Sequence, residues 1–202
     1  MDTFGEIESA LFERGIVLLA GVDEVGRGPL AGPVVAAAVV FPTGCRIDGI
    51  GDSKTLTEAE RKARNVEIRH SALAVGIGSA SPEEIDEINI LQASILAMHR
   101  AVLELHPAPD FLLVDGNRFR HESLPFQTVV KGDSRCFSIG AASIVAKVHR
   151  DALMVEYDAL YPEYGFAKHK GYPTQQHVEA IRVHGLSPMH RRSFSVRKLS
   201  DR

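Results

Sequence analysis

Acidic side chains recur in this sequence directly after apolar runs. Asp23 and Glu24 follow the apolar residues 15–22, and Asp115 ends the segment FLLVD. Asp133 repeats the pattern in TVVKGDS. Carboxylate oxygens are the ligands that hard divalent cations such as Mg²⁺ and Mn²⁺ prefer. Because the ends of neighbouring strands meet at one edge of an α/β sheet, we expect these four carboxylates to converge in one crevice.

Each acidic position also has an explanation that involves no ligand. Asp23 and Glu24 could cap nearby backbone from a loop, and Asp115 and Asp133 could be turn residues beside glycine. Adjacent residues of a strand point to opposite faces, so the first two carboxylates meet one ion only if the chain turns there, which the following glycines permit. The repetition of the pattern at three strand ends favours a site.

The glycines of DEVGRGPLAG raise the alternative of a dinucleotide-binding loop. Gly26, Arg27 and Gly28 begin a GxGxxA pattern, but that fingerprint needs a helix directly after the glycines. Here the continuation PLAGPVVAAAVVF predicts a strand. We therefore expect these glycines to let the backbone approach a ligand closely. A nucleotide-dependent oxidoreductase remains an alternative that cofactor binding would support.

The charge distribution predicts contact with a polyanion. The net charge is −3, yet residues 165–202 hold eight Lys/Arg and two acidic residues, so this basic segment carries +6 and the rest −9. Lys168 and Lys170 precede Tyr172, and Lys54 lies in a loop before a predicted helix. Lysines beside aromatic rings suit a nucleic-acid backbone. A solvated surface, or a non-catalytic nucleic-acid-binding protein, would show the same charges.

Other titratable residues carry weaker signals. Lys147 and Asp151 are four residues apart in a predicted helix, which is the spacing of an ordinary surface ion pair, so Asp151 is only a reserve candidate for the acidic site. Four histidines of the basic segment lack the spacing of a structural zinc site, and we expect them to face solvent or phosphate. They are His169, His177, His184 and His190.

Short apolar runs rich in β-branched residues predict the strands that position these side chains. Thr57 with Glu60, and Ser81 with Glu84, form capping boxes that predict two helix starts. Strands that come first, with helices interleaved later, predict an α/β sheet with helices packed on it. The predicted strands are 15–22, 33–41, 73–77, 111–114 and 127–130. The predicted long helices are 88–106 and 138–160, and a shorter helix is predicted over 174–184.

Length and composition narrow the class of protein. A chain of 202 residues, 45% hydrophobic, predicts one domain spanning 1–202. The longest apolar run, 34–41, is far short of the roughly 20 residues that cross a bilayer, so we expect no membrane span. The acidic N-terminus does not look like a secretory signal, and two cysteines cannot form a disulfide framework. These features predict a cytoplasmic protein.

Eight segments, in order, resemble bacterial ribonuclease HII across residues 21–194. The resemblance implies an α/β ribonuclease H-like fold, in which helices flank a mixed central sheet and a helical C-terminal segment lies over the active-site groove. The segments are GVDEVGRGPLAGPVV, DSKTLT, SPEEIDEINI, LVDGN, VVKGDS, IGAASIVAKVHRDALM, HKGYPT and HRRSF.

The resemblance also implies functions for individual residues. In the family, four carboxylates bind two divalent ions, a GRG motif contacts the ribose 2′-hydroxyl, and a tyrosine senses the substrate; Asp151 matches none of these. The matching positions are Asp23, Glu24, Asp115 and Asp133 for the ions, Gly26, Arg27 and Gly28 for the hydroxyl, and Tyr172 for the substrate.

The implied reaction is metal-dependent phosphodiester hydrolysis. Two Mn²⁺ or Mg²⁺ ions can stabilise the leaving oxygen and neutralise the phosphate. We expect endonucleolytic cleavage on the 5′ side of a ribonucleotide, in an RNA–DNA hybrid or in duplex DNA, that leaves 3′-hydroxyl and 5′-phosphate ends. The 2′-hydroxyl is what distinguishes RNA from DNA at such a site. We further expect a monomer that functions in removing ribonucleotides from DNA.

Overall fold

The computed structural model describes residues 5–52 and 56–194. These residues form one five-stranded sheet with helices on both faces. The strands are β1 (Leu19–Val25), β2 (Val34–Val40), β3 (Ala74–Ala80), β4 (Phe111–Asp115) and β5 (Phe126–Val129). The helices are α1 (Glu6–Glu13), α2 (Glu58–Ser71), α3 (Pro82–Leu103), α4 (Phe137–Leu160), α5 (Phe166–His169) and α6 (Gln175–His184), with 3₁₀ turns at Ile50–Asp52 and Gly132–Ser134.

The strand order β3-β2-β1-β4-β5 makes the sheet mixed. β2 is antiparallel to β1 and β3, whereas β1, β4 and β5 are parallel to one another. The pairing of β1 with β4 ends at Val22 opposite Val114. The carboxyl ends of the three parallel strands therefore lie at the same edge of the sheet, as the sequence predicted.

Strand β2 is covered on both faces, which explains its continuous apolar run. Val34 and Ala36 pack in the core beneath α3, whereas Val35 and Ala37 pack in the core beneath α4. All seven β2 residues are buried. A strand covered on both faces has no position for a polar side chain, so the alternation typical of a half-exposed strand is absent.

Helix α4 lies unusually close to β1 at its first turn. A Cβ at Gly21 would collide with the main chain of Ser138, the second residue of α4. Only glycine allows this approach of helix and strand. The contact sets the position of α4 beside the strand end where the acidic residues lie.

The bounds of β1 differ from the predicted 15–22. The strand runs to Val25, so Asp23 and Glu24 lie within it and pair with Ala37 and Ala36 of β2. The prediction that the strand ends before the carboxylates was wrong. Ladder hydrogen bonds are made by the main chain, and they continue through a polar side chain as well as through an apolar one.

The predicted helix starts are confirmed, with one difference. Thr57 and Ser81 both accept a hydrogen bond from the main-chain amide three residues on, in complete capping boxes. The helix predicted from residue 88 belongs to α3, which is interrupted at Asn89, where φ is 65°. The Asn89 Oδ1 accepts hydrogen bonds from the amides of Leu91 and Gln92 at 3.0 and 3.2 Å, so it caps the second part of the helix.

The C-terminal part is helical, as expected. Helices α5 and α6 pack around a third apolar cluster that includes Leu30, Met154 and Phe166. Among residues 5–52 and 56–194, no helix combines the length and the apolarity that crossing a membrane requires.

Glu8 of α1 caps the start of α4. Its Oε1 accepts hydrogen bonds from the amide and the hydroxyl of Ser138 at 2.8 and 2.9 Å, and the Glu8 side chain is buried. A carboxylate there also meets the positive end of the helix dipole. The cap joins the N-terminal helix to the helix that lies beside the acidic residues.

We predict that Glu8→Ala lowers the free energy of unfolding by about 2 kcal/mol, because it leaves the Ser138 amide without its acceptor. Urea unfolding followed by circular dichroism measures this change. Glu13→Ala, an exposed carboxylate on the same helix, is the matched control and should change stability by less than about 0.5 kcal/mol. Equal effects of the two substitutions would contradict the capping function.

Candidate functional site

Three of the four predicted carboxylates form a compact cluster. One ligand oxygen each from Asp23, Glu24 and Asp115 lie within 4.8 Å of one another. Asp23 and Glu24 come from the end of β1, and Asp115 is the last residue of β4. The parallel pairing of these two strands is what brings the side chains together.

Asp133 lies next to this cluster, in the 3₁₀ turn after β5. The amide of Gly132 donates a hydrogen bond of 2.7 Å to the Asp115 Oδ1, which fixes the turn against the end of β4. The Asp133 side chain is buried, and its charge contributes to raising the pKa of Asp115. The turn therefore places a fourth carboxylate near Asp115.

Burial and like charge make the cluster electrostatically unfavourable. Burial raises the pKa of Asp23 well above its usual value, and the charges of Glu24 and Asp115 raise it further. Burial also raises the pKa values of Glu24 and Asp115. The ionised forms therefore cost free energy unless a cation neutralises them.

Protein groups compensate the cluster only in part. Arg27 Nη1 lies 3.2 Å from the Glu24 Oε1, and the Ser143 side chain hydrogen-bonds the Asp23 carboxylate. The Glu24 Oε2 is buried and has no hydrogen-bond partner among the described residues. A buried carboxylate oxygen without a partner, surrounded by other carboxylates, is the donor set that a hard divalent cation takes.

A groove lies between α2, α4 and the end of β1. It has a volume of about 280 Å³ and is lined by Glu24 of the cluster and by two cations, Arg61 of α2 and Lys147 of α4. The aromatic ring of Tyr172 also lines it and is 42% exposed. A groove that combines a carboxylate of the cluster with cations suits a phosphate chain that passes beside the carboxylates.

The GRG turn at 26–28 lies against the tyrosine turn. A Cβ built at Gly28 would be 3.8 Å from Tyr172 Cε1, and the amide of Leu30 donates to the Gly171 carbonyl at 2.8 Å. After the turn the chain enters β2 at Val34, and no helix follows the glycines. The dinucleotide-loop alternative is therefore excluded, because its helix N-terminus is missing.

Two buried arginines hold this turn, and neither has a signal of its own in the sequence that marks it as important. Arg191 is 1% exposed and donates to the carbonyls of Gly26, Arg27, Pro29 and Gly32 at 2.6–3.1 Å. Arg150, fully buried on α4, donates to three further carbonyls. Its acceptors are the carbonyls of Ala31, Pro33 and Lys170.

The arginine contacts determine where the amides of the turn point. In a trans peptide the carbonyl and the next residue's N–H point in opposite directions. Because the Gly26 and Arg27 carbonyls point to Arg191, the amides of Arg27 and Gly28 point away from it. Within residues 5–52 and 56–194, neither amide donates a hydrogen bond. Both amides are thus available to a ligand.

The basic segment is less uniformly exposed than its composition predicted. Lys168 is exposed and Lys170 is half-buried, but Arg191 is buried beneath the GRG turn. Arg182 pairs with Glu179 at 2.6 Å. Lys54 and the three basic residues beyond 194 lie outside the described residues. Arg191 therefore does not belong to the exposed basic surface that the charge distribution predicts.

The histidines also differ from the expectation. His184 is exposed, but His169, His177 and His190 are buried and hydrogen-bonded within the protein, so the solvent-facing prediction was wrong for these three. Histidine is amphipathic, and its exposure is decided by what packs against it.

The predicted Lys147–Asp151 ion pair forms at 2.7 Å. It is only partly exposed, and its lysine lines the groove, which a surface pair would not do. Ser143, Lys147 and Arg150 are spaced by four and three residues and therefore share one face of α4. That spacing was the available signal for a functional helix face.

Comparison with known proteins places the chain in a family. The family model described as Ribonuclease HII matches residues 20–197. A ribonuclease HII of Pelodictyon phaeoclathratiforme is 56% identical over 92% of this chain and 93% of its own length. A ribonuclease HII of Vibrio parahaemolyticus is 54% identical over 95% of this chain and 92% of its own length.

The fold gives the same result. The crystal structure of the ribonuclease H2 from Pyrococcus horikoshii superimposes with a TM-score of 0.75 and is 26% identical, covering 88% of this chain and 94% of that one. The ribonuclease H-like fold expected from the sequence is thereby confirmed. The chain therefore belongs to the ribonuclease HII family, and it is a ribonuclease H, an endonuclease that acts on RNA–DNA hybrids.

Proposed function

We propose that this enzyme cuts on the 5′ side of ribonucleotides, both in RNA–DNA hybrids and where they are embedded in duplex DNA. The products would be 3′-hydroxyl and 5′-phosphate ends, and the cellular process would be removal of ribonucleotides from DNA. The observation that carries the proposal is the position of the carboxylate cluster. One of its carboxylates, Glu24, lines a groove together with Arg61, Lys147 and the ring of Tyr172, and the GRG turn lies against that ring.

The residues fit a divalent metal centre. Asp23, Glu24 and Asp115 supply clustered oxygens, the Glu24 Oε2 lacks a protein partner, and Asp133 adds a fourth carboxylate from the adjoining turn. When bound, two Mg²⁺ or Mn²⁺ ions would neutralise the phosphate charge and activate a water molecule. No strong side-chain base is then required.

The chain's own groups orient the substrate. The exposed edge of the GRG turn presents the amides of Arg27 and Gly28, which suits contact with the oxygen of a 2′-hydroxyl. Tyr172 lies beside Gly28, and its ring would pack against the next sugar. Because Glu24 is two residues before Gly26, contact with the hydroxyl would also place the neighbouring phosphate at the carboxylates.

Cations along the groove would contact the phosphates. Lys147 and Arg61 line its wall, and Lys168 and Lys170 lie near the tyrosine turn. A non-catalytic nucleic-acid-binding protein would need these cations but would gain nothing from four crowded carboxylates, whose repulsion lowers stability. The acidic cluster therefore favours the nuclease over the binding protein.

We predict that cleavage requires the 2′-hydroxyl and a divalent ion. End-labelled duplexes with one ribonucleotide should be cut on its 5′ side in Mg²⁺ or Mn²⁺ and remain intact in EDTA. The 2′-deoxy and 2′-O-methyl duplexes of the same sequence are the matched controls and should remain uncut. Comparable cleavage of all three duplexes would overturn the proposed recognition of the hydroxyl.

We predict opposite effects of Asp23→Asn on stability and activity. The raised pKa of Asp23 means that its ionised form destabilises the fold above its unfolded pKa, a cost that is relieved as the pH falls and the group is protonated. In metal-free protein at pH 7 the substitution should add about 1 kcal/mol, or about 2–4 °C in Tm, and should abolish cleavage.

Addition of Mg²⁺ tests the cause of this stabilisation. The wild type should gain more thermal stability than Asp23→Asn does, because only the wild type keeps the full ligand set. Asp48→Asn, an exposed carboxylate, should show neither the Tm gain nor the loss of activity. A lower Tm for metal-free Asp23→Asn would show that repulsion does not dominate at this site.

We predict that Lys147→Ala and Arg61→Ala each make the negative slope of log K against log[salt] less steep by about one unit, where K is the association constant for duplex binding. Each substitution removes one phosphate contact. Fluorescence anisotropy of a labelled duplex in Ca²⁺ or EDTA measures the slope without cleavage. Arg69→Ala, at the other end of α2, is the control and should leave the slope unchanged. An unchanged slope in all three variants would place the duplex elsewhere.

A further inference from the structure

The three buried histidines of the C-terminal part form one connected cluster. His169 belongs to α5, His177 to α6, and His190 to the segment after α6. The rings of His169 and His177 stack at 4.3 Å, and the Nε2 atoms of His177 and His190 are 3.0 Å apart. None of the three takes part in the carboxylate site, so their burial calls for a different explanation.

The neighbours of each ring determine which nitrogen carries the proton. The carbonyl of Tyr172 can only accept, so the His177 Nδ1, 2.9 Å away, must be the donor. The Ser187 amide can only donate, so the His190 Nδ1, 2.9 Å away, must accept, and His190 carries its proton on Nε2. That proton is then donated to the unprotonated Nε2 of His177.

His169 follows the same logic. Its Nδ1 accepts from the Gly171 amide at 3.2 Å, so its Nε2 donates to the Tyr164 carbonyl at 2.8 Å. All three imidazoles are thus neutral, with one donor and one acceptor nitrogen each, and every nitrogen has a partner. Burial lowers the pKa values of His177 and His190 to about 4, which agrees with neutral rings.

Two of these histidines hold the main chain of Tyr172. His177 donates to its carbonyl, and the His169 carbonyl accepts from its amide at 2.9 Å. The preceding residues adopt positive φ, 52° at Lys170 and 82° at Gly171, so the turn needs such support. The ring of Tyr172 lines the groove, and its main chain is hydrogen-bonded to the two histidines.

We propose that His177 and His190 are positioning residues for Tyr172. Through the chain Ser187–His190–His177, the hydrogen bonds hold the tyrosine carbonyl and thereby the ring that packs against the substrate. His190 lies two contacts from the groove, so it acts only through its neighbours. The inference rests on the proposed contact of Tyr172 with the substrate.

The first test is a double-mutant cycle on a duplex that contains one ribonucleotide. His190→Phe keeps a planar ring but has no hydrogen-bonding nitrogen. It should lower kcat about tenfold with a smaller change in KM, because the loss is one of alignment. Combined with Tyr172→Ala, it should add little to the loss that Tyr172→Ala causes alone, because both act through one contact.

Control variants separate positioning from general destabilisation. His190→Gln keeps an N–H donor near the place of Nε2 and should recover most of the activity. His184→Phe changes the exposed histidine of α6 and should leave kcat unchanged. Losses of His190→Phe and Tyr172→Ala that multiply in the double variant would overturn the proposal, and so would a fully active His190→Phe or Tyr172→Ala.

The second test needs no substitution. Nitrogen-15 NMR of the imidazoles in the wild-type protein at pH 7 should show His177 protonated on Nδ1 and His190 on Nε2. The opposite tautomer in either ring, or a charged ring, would overturn the network. These outcomes are distinct from failure of the proposed function, which would appear as cleavage that does not depend on the 2′-hydroxyl.

Discussion

The carboxylates of Asp23, Glu24 and Asp115 repel one another at a place where they have lost much of their hydration, and the surrounding structure is built around this cost. The main chain satisfies its hydrogen bonds through the β2 ladder, so the strand persists beneath the charges. Arg27 and Ser143 relieve only part of the repulsion. The remaining oxygens, among them the unpartnered Glu24 Oε2, form a donor set that suits a divalent cation.

The second constraint is the main chain of the GRG turn. Residues 26–33 connect the end of β1 to the start of β2. Their carbonyls lie outside the strand ladder and need other hydrogen-bond donors. Arg150 and Arg191 supply them. A guanidinium offers five donors in a planar fork, so Arg191 can serve four carbonyls, one more than the three donors of a lysine ammonium allow.

This arrangement leaves positive charge buried beneath the turn. Burial and the neighbouring Arg150 lower the pKa of Arg191 to about 9, and the arginine remains charged near neutral pH. Its hydrogen-bond partners are main-chain carbonyls. These hydrogen bonds fix the orientation of the peptide planes, but the neutral carbonyls do not neutralise the charge of the guanidinium. The same side chain therefore stabilises the turn, directs its amides outward and adds a positive potential near the groove.

The sequence by itself determined the features that depend on neighbouring residues. Continuous apolar runs identify buried strands, capping boxes identify the starts of α2 and α3, and acidic residues at strand ends identify the candidate metal ligands. The residues themselves predict an α/β sheet, and the ribonuclease H-like fold was implied by the resemblance of the motifs to ribonuclease HII. Only the tertiary structure decided which polar residues are buried. Arg191 contacts Gly26 across 165 positions of the chain, and His190, in the segment after α6, contacts His177 within α6. Arginine and histidine usually lie at the surface, and the residues next to them in the sequence do not show whether they are buried or exposed. Their burial depends on whether distant segments supply enough hydrogen bonds to replace water.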